Sequence, residues 1–511
     1  MRRTIGNGPC KPFAAIAATF CVVALLVASQ AGAEQQGHGT CIDCHADRQS
    51  GFSPGHAFGA AACTVCHGGD NSASDAVNAH EGMLAFPGNL ENADQACGAC
   101  HADRVASVTN SLMHTARGMV HTTRALIDGD PGPAHTQNLQ SLGNTVADSM
   151  LRKQCASCHL GQPKAEHAVD VTRGRGGGCL ACHIAAHPDK AHPALSADVS
   201  DGRCFGCHSR SGRISLSYAG LAEVDEPGLR LADGRTVAKM PADAHYLAGM
   251  SCTNCHTADD VMSSAAGAVH QRDAVLAACT DCHEPHADDT NHARLTCSTC
   301  HSQWAPQCFG CHMEYDAAGG QWDHVERKVT PGRWSDRRWD IRNSLPVLGV
   351  TADNRIEAFV PGMIMTVAHP EWHKEKFIRV FAPLSPHTTG RSRSCESCHR
   401  SSEALGLGQG KLALENGELR FLPTHDLRRD GLPVDAWTDI GNTLGGQTVR
   451  PGQRPLNERE MTRIVSAEIQ QDSAPGGGSG SSSSASSSSN TGGTNSTSGR
   501  RAAPSPLSPT K

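Results

Sequence analysis

Of the chain's 24 cysteines, 22 fall into eleven copies of one spacing, Cys-x-x-Cys-His. In chain order the copies are Cys41, Cys44 and His45; Cys63, Cys66 and His67; Cys97, Cys100 and His101; Cys155, Cys158 and His159. They continue with Cys179, Cys182 and His183; Cys204, Cys207 and His208; Cys252, Cys255 and His256; Cys279, Cys282 and His283. The last three are Cys297, Cys300 and His301; Cys308, Cys311 and His312; Cys395, Cys398 and His399. Two thiols three residues apart reach the two vinyl groups of one porphyrin and form thioethers, and the adjacent His offers its nitrogen to the iron. A disulfide framework has no use for a His after every second Cys. Zinc sites use Cys-x-x-Cys as well, but draw their remaining ligands from a second, separated pair. The pattern predicts eleven covalent haems c, with these cysteines as thioether donors and these histidines as proximal ligands.

Histidine supply extends the case. The chain has 29 His, and removing the eleven in the motifs leaves eighteen. That surplus suits ligation of the second face of each iron, which would give low-potential, six-coordinate haems. His56 stands seven residues ahead of Cys63, and His245 stands seven ahead of Cys252. His387 is eight ahead of Cys395. The reused spacing predicts an upstream His bound to an iron in the cluster, not necessarily that of the next motif. His114 and His121 lie two helical turns apart and can share one helix face. With His270 and His292 they complete the set of candidate distal ligands.

Motifs this dense constrain the elements that carry them. Ten of the eleven fall between Cys41 and His312, while aromatics make up only 4% and hydrophobics 38% of the chain. That is thin for an ordinary core of this length. Porphyrin plates and iron ligation are expected to supply much of the folding energy. The expected fold is mainly α, with short motif-bearing helices, extensive irregular loops and little or no sheet. Residues 1–33 read as an export signal, with Arg2, Arg3 and Lys11 ahead of an uncharged apolar run and Ala31-Gly32-Ala33 as a cleavage site. Residues 34–312 form the haem-dense domain. Residues 313–472 hold an insertion or cap, the last motif and a C-terminal segment. The Ser/Gly/Pro-rich residues 473–511 read as a disordered tail. The net charge is −6 and no basic face stands out, which excludes nucleic acid as a partner. No mature segment is long and apolar enough to span a membrane.

The motif array resembles the multihaem cytochromes c. More narrowly, three stretches are similar to the octahaem tetrathionate reductase and hydroxylamine oxidoreductase group. They are Cys63-Thr-Val-Cys-His-Gly-Gly-Asp70, Ser111-Leu-Met-His-Thr115, and Pro386-His-Thr-Thr with Ser394-Cys-Glu-Ser-Cys-His399. The resemblance implies a helical, loop-rich fold with stacked haem pairs. The chain departs from that group in having eleven motifs rather than eight, and it contains no Cys-x-x-Cys-Lys variant. The expected function is respiratory electron transfer in the periplasm, or alternatively at the cell surface. Its expected partners are a membrane quinol-linked donor and a terminal reductase or outer-membrane conduit. The alternative is an oxidoreductase acting on a sulfur or nitrogen oxyanion. For that alternative, Arg333, Arg337, Arg338 and Arg342, interleaved with Trp334 and Trp339, offer an anion-facing surface.

Overall fold

The computed structural model describes residues 40–46, 56, 63–164, 176–185, 192, 194–208, 215–224, 227–231, 234–262, 267–286, 291–337 and 340–469. The expected export signal and tail lie outside them, as do His38, His167, His187, Arg338 and Trp339. Among the described residues no helix is long and apolar enough to cross a membrane.

Up to His301 most motifs sit on short helices of one or two turns, such as Cys63–His67, Asp201–His208, Cys252–Cys255 and Cys297–His301. The longest helices here are Gly98–Asn110 and Arg117–Ile127. The second buries Val120, Thr123 and Ile127 at three- and four-residue spacing. Two short strands, β1 (Ile184–Ala185) and β2 (Ala194–Leu195), pair beside the Cys179 motif. In the 43-residue gap after His208, β3 (Leu221–Glu223), β4 (Leu229–Arg230) and β5 (Thr236–Lys239) form a sheet in the order β3-β5-β4.

The expectation of little or no sheet is overturned after Trp304. The strands β6 (Ala305–Phe309), β7 (Cys311–Asp323), β8 (Lys328–Asp336), β9 (Asp340–Ser344), β10 (Val347–Val350), β11 (Ile356–Ala368) and β12 (Lys376–Pro383) follow in close succession. Two more hairpin strands, β13 (Gly410–Glu415) and β14 (Glu418–Pro423), pair only with each other. Short strands β15 (Gln447–Thr448) and β16 (Arg454–Pro455) complete a seven-stranded mixed sheet with β7, β8, β10, β11 and β12.

Strand β11 organises that sheet. Along one edge it pairs antiparallel with β10 over Ile356–Phe359, then parallel with β7 over Met365–Ala368. Its other edge carries β12, with a register break between Pro361 and Met363. Proline has no N–H to continue the ladder, so the break falls where the backbone must release it. Anchor density explains the difference from expectation. Between His312 and Cys395 there are 82 residues without a motif, so that stretch must build a conventional core. Its sequence is rich in the β-branched and aromatic residues that favour strands.

That core centres on Trp437, which is fully buried. Its ring lies 4.9 Å from that of Phe359 and 4.9 Å from that of Phe381. Gly349 in β10 leaves the space: a Cβ there would come within 2.5 Å of the Trp437 ring. Replacing Trp437 with Ala should cost the sheet about 3–5 kcal/mol. Amide exchange in β10, β11 and β12 should quicken accordingly, and unchanged exchange would contradict this account of the core.

Candidate haem-binding sites

The helical turn does geometric work at the motifs. The His backbone N–H donates to the carbonyl of the first Cys at 2.8 Å in the Cys41 and Cys97 motifs. The same bond measures 2.9 Å at Cys252 and Cys395, 3.0 Å at Cys279 and 3.1 Å at Cys179. Closing that turn puts residues three and four apart on one face, so both thiols and the imidazole can address a single plate. All 22 motif cysteines among the described residues are free of disulfides.

The imidazoles come in pairs. His45 faces His80, His101 faces His56, and His67 faces His192, with ring centres 6.1 to 6.2 Å apart. His283 faces His245 at 5.9 Å, His256 faces His387 at 6.1 Å, His301 faces His286 at 5.6 Å, and His399 faces His292 at 6.2 Å. His159 faces His114 at 5.1 Å. In all eight pairs one ring belongs to a motif and the other does not. Two imidazoles bound to opposite faces of one metal at about 2 Å each would place their ring centres about 6 Å apart. The observed spacing therefore fits one haem iron between each pair, with the poorest fit at His159. There Nε2 is directed at the His114 carbonyl oxygen.

The far side of the rings supports the same orientation. Nδ1 of His67 donates to the Leu84 carbonyl at 2.7 Å, and that of His183 to Ser196 at 3.0 Å. His301 donates likewise to Gly390 at 2.9 Å and His399 to Ile464 at 2.6 Å. Holding the proton on Nδ1 leaves the Nε2 lone pair for a metal. The last contact depends on the helix Glu458–Ser466, started by a reciprocal cap between Asn457 and Glu460. Burial pushes His387 down to about 4 and His159 down to about 3, so both rings are neutral donors near pH 7. Buried His114 leaves both ring nitrogens without a hydrogen-bond partner, a cost that a metal bond would remove. Among the described residues no three or more His, Cys, Asp or Glu side chains converge as a bare metal ion would require.

The pairs also sort the motifs into two groups. Those at Cys41, Cys63, Cys97 and Cys155 draw their facing rings only from residues 56–192. Those at Cys252, Cys279, Cys297 and Cys395 draw theirs only from residues 245–387. The helix Asp201–His208 touches both sides. Its Arg203 donates to the Ile184 carbonyl beside His183, and its Asp201 accepts from the Cys252 N–H at 2.9 Å.

Of the seven candidate distal ligands, His56, His114, His245, His292 and His387 face motif rings. His121 and His270 face none among the described residues. His270 instead lines an open cavity of about 450 Å³ with Arg272, Asp353 and Arg450. The structure adds His80, His192 and His286, which the spacing argument did not single out. His286 follows its neighbouring motif His by three residues, but only the overall surplus pointed to His80 and His192.

The Cys308 motif differs from the rest. Cys308 lies in β6 opposite Ile341, and Cys311 and His312 lie in β7 opposite Met365 and Thr366. Gly310, at φ +67°, turns the chain between the two strands. His312 faces no second imidazole among the described residues. The arginines offered as an anion surface are engaged with carboxylates: Arg333 with Asp316, Arg337 with Glu314, and Arg342 with Asp340 and Asp435. Trp334 is buried against Tyr315.

No family model, no curated protein and no solved structure matches the chain.

On the haem reading, changing His80, His245 or His387 to Ala should each convert one haem from low to high spin while the haem count holds. His121→Ala should leave the absorption and magnetic circular dichroism spectra unaltered. Unaltered spectra in all of the first three variants would contradict the pairing.

Proposed function

We propose that the chain is an exported multihaem c-type cytochrome that carries electrons through covalently bound haems, most of them held by two imidazoles. The observation that carries this reading is the facing of eight motif imidazoles by eight others at 5.1 to 6.2 Å. A bound haem supplies a one-electron ferric/ferrous couple, and double imidazole ligation keeps its potential below that of His/Met ligation. The protein's own part is positional. Closed helical turns present the thiols, backbone carbonyls orient several motif rings, the facing imidazoles would hold the iron from the other side, and the motif-bearing segments pack directly on one another. Cys97 and Cys179 pack on one apolar cluster with Leu90, Val105 and Val108, which brings two attachment points together.

The oxyanion-oxidoreductase reading has less support. Arg333, Arg337 and Arg342 each pair with a carboxylate of their own, Asp316, Glu314 and Asp435. Export to the periplasm, with a quinol-linked donor and a terminal reductase or outer-membrane conduit as partners, follows from the motif chemistry and the leader-like residues 1–33.

Peptide mass mapping with a pyridine haemochrome assay tests the proposal. Eleven haems per chain are expected, one on each motif peptide. Eight or fewer would contradict full use of the motifs.

A further inference from the structure

We propose that Asp243 and Asp260 make the haems of the Cys252 and Cys279 motifs the lowest-potential pair in the chain. The inference rests on the haem reading above and concerns what stands behind the ligands.

Nδ1 of His256 donates to Oδ2 of Asp260 at 2.5 Å, and Nδ1 of His245 donates to Oδ1 of Asp243 at 2.8 Å. His256 is the motif ligand at Cys252, and His245 faces the motif ligand His283 at Cys279. Both carboxylates are buried, with side-chain exposures of 5% and 1%. Among the described residues neither is paired with a Lys or Arg. The other Nδ1 partners described for motif rings are neutral backbone carbonyls, those of Leu84, Ser196, Gly390 and Ile464.

That difference has an electronic consequence. A carboxylate draws the Nδ1 proton more strongly than an amide carbonyl does, so the ring gains imidazolate character and becomes a stronger donor through Nε2. A stronger donor favours ferric over ferrous iron. A buried, unpaired negative charge adds to the same preference, because burial weakens solvent screening.

The two carboxylates also tie the two sites together. The other oxygen of Asp260 accepts from the Leu276 N–H at 2.5 Å, three residues ahead of Cys279. The other oxygen of Asp243 accepts from the Thr389 N–H at 2.5 Å, two residues beyond His387, the ring facing His256. Each carboxylate thus tunes one haem and braces the segment serving its neighbour. Electrons entering the chain settle first on the other irons, and these two are reduced last.

The test is a spectroelectrochemical titration of the full-length holoprotein and its Asp260→Asn and Asp243→Asn variants. Asn keeps the size of the side chain and an acceptor oxygen while removing the charge. In each variant one component should leave the low-potential end and shift upward, with haem count and low-spin spectrum unchanged. Asp201→Asn is the control, since Asp201 accepts from the Cys252 N–H and touches no ring nitrogen in the described contacts. An equal shift in that control would assign the effect to charge alone and overturn the hydrogen-bond account. An unmoved low-potential end in both test variants would overturn it too, as would loss of a haem in both, which would make the carboxylates braces only. A wild-type chain without haem would instead defeat the functional reading itself.

Discussion

A second imidazole reaches an iron only if its own chain segment passes on the far side of the haem plate, about 6 Å from the first ring. On the haem reading, each facing pair would fix two segments relative to each other, much as a disulfide does. His192 reaches back to His67, His387 reaches back to His256, and His56 passes over its own neighbour to meet His101. Ligation of this kind would interleave the chain. It would let short helices and loops hold a shape that their thin apolar content could not maintain alone.

The sheet obeys the complementary constraint. Where motifs are absent for dozens of residues, no porphyrin is on offer, and burial of side chains must supply the stability. Strands β10, β11 and β12 close over Trp437, Phe359 and Phe381 as an ordinary core would. The sheet is still tied to the motif-bearing segments. β11 pairs with the Cys311-bearing strand, and the Ile356 carbonyl accepts from the Thr296 N–H just ahead of the Cys297 motif. The C-terminal helix does likewise by offering the Ile464 carbonyl to His399.

The Cys-x-x-Cys-His array was legible in the sequence because the covalent haem attachment we propose demands a fixed local spacing. The upstream spacing of His56, His245 and His387 was legible as well, and each of these rings faces a motif ring other than that of the next motif. Which motif each ring faces was not legible, since that depends on folding across more than a hundred residues, as between His67 and His192. His121 shows the limit of helical spacing, which puts a ring on a face without saying what that face meets. The sheet was missed because the anchor-density argument was carried into the 82-residue stretch after His312, which has no anchors; the small sheet of β3, β4 and β5 likewise falls in the 43-residue gap after His208. Arg333 and Arg337 looked like a basic surface only because Asp316 and Glu314, their partners across the β7–β8 hairpin, are far enough away in sequence to escape a local reading.

Quantitative electron paramagnetic resonance of the oxidised, resting protein tests the central claim most directly, because the spin state of ferric haem reports whether both axial positions are filled. Paired imidazoles at eight motifs predict at least eight low-spin ferric irons per chain. A spectrum in which most of the iron is high-spin, or in which no haem iron is found, would contradict it.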